Sequence, residues 1–104
     1  MKAQPIRIRA RQRDGLTEVV LLMPHPMETG LRKDAAGGLV ATHYITDLRV
    51  AVEGRTVLEA RMSQAVSQDP LLTFRFRGGK PGERITANWR DSLGAARADE
   101  SLIA

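Results

Sequence analysis

Apolar side chains recur at every second position in short runs along this chain, and turn-forming residues separate the runs. That is the periodicity of antiparallel strands rather than of helices. In the first run Ile6, Ile8, Ala10 and Gln12 alternate with Arg7, Arg9, Arg11 and Arg13. Asp14-Gly15 predicts a turn, and residues 16–23 follow with Val19, Leu21 and Met23 on one side and Val20 and Leu22 on the other. A strand apolar on both faces belongs in the middle of a sheet or against a partner. Pro24 and Pro26 end it, because neither has an N–H to give to a ladder.

Residues 24–38 have the composition of a long surface loop, ending in Gly37-Gly38. The clearest alternation lies in residues 44–52, where Tyr44, Thr46, Leu48, Val50 and Val52 share one face and Asp47 and Arg49 the other. Glu53-Gly54-Arg55 predicts a hairpin to a strand over 56–62, and 63–70 predicts a crossing from one sheet to another. Leu72, Phe74 and Phe76 then face one way and Thr73, Arg75 and Arg77 the other, before the turn residues Gly78-Gly79-Lys80-Pro81-Gly82. Ile85, Ala87 and Trp89 repeat the inward pattern, and a turn over 91–94 leads to a final edge strand over 95–103 that is poor in β-formers. Seven short strands at this spacing predict an all-β, immunoglobulin-like antiparallel sandwich in a single domain over 1–104; a small barrel fits the same pattern.

Composition narrows the class. At 42% hydrophobic and 27% charged, 104 residues suffice for one self-supporting core. The two Phe, one Tyr and one Trp make that core mainly aliphatic. There is no cysteine, which removes disulfides, thiolate metal sites and a thiol nucleophile of the chain's own. No segment has the length and apolarity of a membrane span, and no apolar run follows the basic start as in a secretory signal.

The net charge of +4 and the four alternating arginines raise a second possibility, a basic nucleic-acid-binding β-barrel. Against it, base-reading helices are absent from the pattern, and Phe74 and Phe76 point away from Arg75 and Arg77, leaving no stacking platform. No nucleic acid is expected as a partner. His25 and His43 stand at no metal-ligand spacing and are expected to be structural; Gly78-Gly79-Lys80 lacks the phosphate-loop pattern and reads as a hairpin turn. Trp89 is expected to anchor the core, and Asp91 to cap the turn after it. No residue is expected to be catalytic, and no cofactor or metal is expected.

Met23-Pro24-His25-Pro26-Met27 differs from the rest of the loop, since thioethers and prolines stand where polar residues are usual. Methionines adapt to irregular surfaces and prolines lower the entropy lost on docking, so the segment is expected to face another polypeptide; the alternative is a loop folded back to cap the sandwich.

The run HPMETG at 25–30, with Arg32, Lys33 and Asp34 after it, resembles the SoxZ family of sulfur-oxidation proteins. The likeness extends over nearly the whole chain: the 44–54 strand and turn, Asp69-Pro70 before Phe74, and Trp89, Asp91 and Gly94. It implies an immunoglobulin-like fold and a heterodimer with a SoxY subunit whose C-terminal cysteine carries the sulfur intermediates of thiosulfate oxidation. It also implies transient docking of sulfur-oxidation enzymes, and a periplasmic location reached by export with a signal-bearing partner. A chain without a thiol suits that role, because it has none to exchange with the carried group. Met23, His25, Pro26, Met27, Glu28, Thr29, Gly30, Arg32 and Asp34 are the expected partner-binding residues.

Overall fold

A computed structural model describes residues 3–104. Seven strands form, in chain order β1 (Arg7–Arg13), β2 (Leu16–Leu22), β3 (Ile45–Val52), β4 (Arg55–Arg61), β5 (Leu71–Arg77), β6 (Arg84–Asp91) and β7 (Ala96–Leu102). They make two antiparallel sheets, β1-β2-β5 and β4-β3-β6-β7. The sheets do not close on each other, so the molecule is a sandwich and not a barrel.

Inward positions follow the predicted alternation. Val19 and Leu21 of β2 face Leu48, Val50 and Val52 of β3 and Ile85, Ala87 and Trp89 of β6, all buried in one cluster. β2 is the central strand of its sheet, as its two apolar faces require. The final segment pairs with β6 along its whole length despite its alanines and acids, because seven consecutive register partners outweigh weak intrinsic preference.

Two expectations are corrected. Strict alternation in β3 breaks between Ile45 and Asp47, where the register against β6 shifts; Ile45 is buried with Leu48, while Thr46, expected on Leu48's face, is only half-buried. The turn at 78–82 is not a hairpin, since β5 pairs with β2 while β6 lies in the other sheet. It is a crossing, and Gly79 (φ +82°) makes it possible: a Cβ there would overlap the Thr17 hydroxyl oxygen. Thr17 in turn donates that hydroxyl to the Gly78 carbonyl at 2.6 Å.

One seam between the sheets is stitched. Ala104 N–H donates to the Ala10 carbonyl, Gln12 N–H donates to that of Ala104, and Asp99 on β7 accepts the Ile6 N–H at 2.8 Å. At the opposite seam β4 and β5 leave Leu58, Ala60, Met62, Leu72, Phe74 and Phe76 half-buried.

Candidate functional site

The site is built at the end of the sandwich where β2 stops and β3 begins. Met23 N–H donates to the Pro70 carbonyl, and His25 is strapped to the crossing segment twice. Its N–H donates to Asp69 Oδ1 at 2.9 Å, and its carbonyl accepts the Asp69 N–H at 2.9 Å. Met27 adopts φ +47°, which lets its N–H reach back to His25 Nδ1 at 3.0 Å. Accepting at Nδ1 places the imidazole proton on Nε2. That Nε2–H donates to Asp91 Oδ2 at 3.0 Å.

His43 lies eighteen positions on in sequence, yet it joins the same carboxylate. Glu28 and His43 exchange both backbone hydrogen bonds, at 2.6 and 3.0 Å, and this isolated bridge carries His43 over His25. The two rings meet at 4.6 Å, and His43 Nε2–H donates to Asp91 Oδ2 at 2.7 Å. Asp91 Oδ1 accepts the N–H groups of Leu93 and Ala95 at 3.0 and 2.9 Å, capping the β6–β7 turn as the sequence predicts. Trp89 is buried edge-on against His25 at 5.1 Å. Its indole N–H has no acceptor among the described residues.

Four donors on one carboxylate decide its charge. Burial pushes the Asp91 carboxyl up, but the hydrogen bonds from His25, His43, Ala95 and Leu93 outweigh burial and hold it below its ordinary value. Buried charge of this kind persists only where every lone pair is matched, and here it is.

The expected partner-binding residues separate into two groups. Met23, His25 and Met27 are 0%, 4% and 4% exposed, so the expectation that their side chains form an outer apolar surface is corrected: they fill the core. Met27 Sδ also accepts the Ile45 N–H at 3.3 Å. Pro26 is half-buried beside them. The rest of the motif shapes a projecting hairpin. Glu28 accepts Arg32 at 2.6–2.9 Å, which holds its carboxyl low, and Thr29 Oγ1 accepts the Leu31 N–H. Gly30 (φ +87°) is required because a Cβ would overlap the Thr42 hydroxyl. Asp34 Oδ1 accepts from Ala36 and Gly38, closing the tip, and Lys33 bridges Leu39.

A family model for the sulphur oxidation protein SoxZ matches residues 6–101. The chain belongs to the SoxZ family. Comparison with curated proteins finds no match. Among solved structures, a superoxide reductase in the oxidised state superposes with TM-score 0.69 at 15% identity, over 100% of this chain and 90% of the other. A hypothetical protein from Pyrococcus horikoshii gives 0.65 at 18%, over 98% and 89%. A neelaredoxin variant from Archaeoglobus fulgidus gives 0.67 at 18%, over 99% and 91%. At these identities the likeness is one of fold. The run at 25–30 has a folding role in this chain: His25, Met27, Glu28 and Gly30 each meet a stated steric or hydrogen-bonding need.

Sequence reasoning found the capping role of Asp91 but not its two histidines. No spacing joins 25, 43 and 91; only the Glu28–His43 bridge does. Leu31 and Leu39 were also missed as surface features, and they stand 80% and 65% exposed on the hairpin.

Proposed function

We propose that this SoxZ-family chain is the non-catalytic half of a heterodimeric sulfur carrier. It stabilises a SoxY-type subunit that bears the carrier cysteine, and it presents surface to the enzymes of thiosulfate oxidation in the periplasm. The observation behind this reading is that the loop end spends its titratable groups internally while displaying apolar ones. His25, His43 and Asp91 are saturated by each other and by backbone, whereas Leu31, Leu39 and Leu93 are all at least 65% exposed at that same end. Scattered exposed leucines mean little, but three on the connecting segments of one end suit a protein interface. Pro24, Pro26, Glu28, Thr29, Gly30, Arg32 and Asp34 serve by shaping that surface. Co-expression with a SoxY-type subunit should give one heterodimer peak in size exclusion; two separate peaks at micromolar concentration would count against the proposal.

A metal centre is a second reading, favoured by donor atoms of His25, His43 and Asp91 lying within 4.8 Å of one another. The residues do not fit it. His25 Nδ1 is occupied by the Met27 N–H, so its Nε2 carries a proton where a metal would need a lone pair. Titration with zinc or ferrous ion in a calorimeter should show no stoichiometric binding; a tight one-to-one isotherm would favour the metal reading.

A further inference from the structure

The outward face of the β1-β2-β5 sheet takes no part in the loop-end site, and its charge is unbalanced. Register sets Arg7, Arg9, Arg11 and Arg13 along one margin and Arg75 and Arg77 along the other. Leu16, Val20 and Leu22 of β2 run between them, half-buried or exposed, and Leu71 extends the apolar strip. Glu18, paired with Arg75 at 3.3 Å, is the single carboxylate among these positions. Six guanidinium groups against one carboxylate exceed the +4 of the whole chain. The outward face of the other sheet is closer to balance, with Arg49, Arg61, Arg84 and Arg90 interspersed among Asp47, Glu59 and Glu100.

We propose that this arginine-flanked face is a docking surface for a visiting protein whose own patch has an aliphatic centre rimmed by carboxylates. The proposal rests on the carrier reading and adds a second surface to it: the loop end holds the permanent partner, and this face receives transient ones. Three observations select the occupant. Charge complementarity calls for an acidic partner. The aliphatic strip gives a protein apolar area to bury. It gives a nucleic acid nothing to stack on, because Phe74, Phe76 and Trp89 point to the inside of the sandwich. Strand addition along the β1 edge is blocked at Ala10 and Gln12, whose backbone groups are already bonded to Ala104, which leaves the face of the sheet as the surface on offer there. Arginines about 6.8 Å apart along β1 form a rim whose main contribution is to association rate.

The test immobilises the purified carrier pair and passes the sulfur-oxidation enzymes over it one at a time, at 50 and 500 mM NaCl. Arg9→Glu with Arg11→Glu and Leu71→Ser change exposed side chains, and size exclusion of each pair reports the permanent dimer separately. At least one acidic enzyme should associate with wild type at low salt, about tenfold or more slowly with the double reversal, and equally slowly with both at high salt. Leu71→Ser should speed dissociation. Four outcomes would overturn the proposal: no enzyme associating at low salt, rates indifferent to the reversal, loss of the heterodimer in the variants, or binding only of a single-stranded oligo-dT. Failure of the wild-type heterodimer to form would instead strike the carrier reading.

Discussion

Replacing Asp91 with alanine removes the carboxylate that binds both loop-end histidines and caps the β6–β7 turn. Four donors lose their partner. His25 Nε2–H is the costliest, because its side chain is 2% exposed and its tautomer is fixed by Met27. A buried donor left unsatisfied costs about 1–3 kcal/mol. His43 is a quarter exposed, and the N–H groups of Leu93 and Ala95 lie in an exposed turn, so water replaces part of what they lose. Those three add about 0.5–1 kcal/mol each. A total of about 2.5–6 kcal/mol is a large share of the roughly 5–15 kcal/mol that holds such a domain together. The midpoint of thermal unfolding should fall by at least roughly 10 °C, read by far-ultraviolet circular dichroism and by the fluorescence of Trp89. Asp91→Asn should also destabilise, because its amide NH2 would confront an imidazole N–H that has no freedom to change tautomer. Melting of Asp91→Ala within about 2 °C of wild type would refute the assigned hydrogen-bond network.

Three further outcomes are expected. Gly79→Ala should cost about 2–4 kcal/mol in urea unfolding, since it combines a left-handed backbone with a clash against Thr17; near-wild-type stability would show that the crossing turn can relax. Stability should be lost on acidification below about pH 4: Asp91 and Asp99 are held below their ordinary value of 3.8, so their contribution is complete above that value and disappears as pH falls through the depressed one. Melting curves from pH 6 to pH 2 would check this, and Asp91→Asn should show a shallower decline. Met27→Ala should destabilise by about 2–4 kcal/mol, while Leu31→Ser with Leu39→Ser should leave stability unchanged and weaken partner binding roughly 100-fold, from about 3 kcal/mol of lost apolar burial. Isothermal titration separates the two effects.

The strands were legible because one face of each is buried and the other is not, and a two-residue period records that directly. Even β7, with weak propensities, was visible through its place after a turn at 91–94. What the pattern hid was local. The register shift at Ile45 inserts a residue that periodicity counts as ordinary, and a glycine turn looks the same whether it joins neighbouring strands or crosses between sheets. The loop was read from side-chain chemistry alone, which made Met23 and Met27 look like an outer surface. The structure decides otherwise: Met23 continues the buried face of Val19 and Leu21, and the left-handed φ of Met27 with the straps between His25 and Asp69 turns the second thioether inward. Long-range pairing such as His43 with Asp91 leaves no periodic trace, because 48 residues separate the two.

Amide hydrogen exchange on the chain alone and with an added SoxY-type subunit tests the scaffold account most directly. Protection should increase in residues 29–40 and 92–95, where the exposed leucines sit, and stay unchanged in β3 and β6, already shielded by the core. An exchange pattern identical with and without the subunit would contradict it.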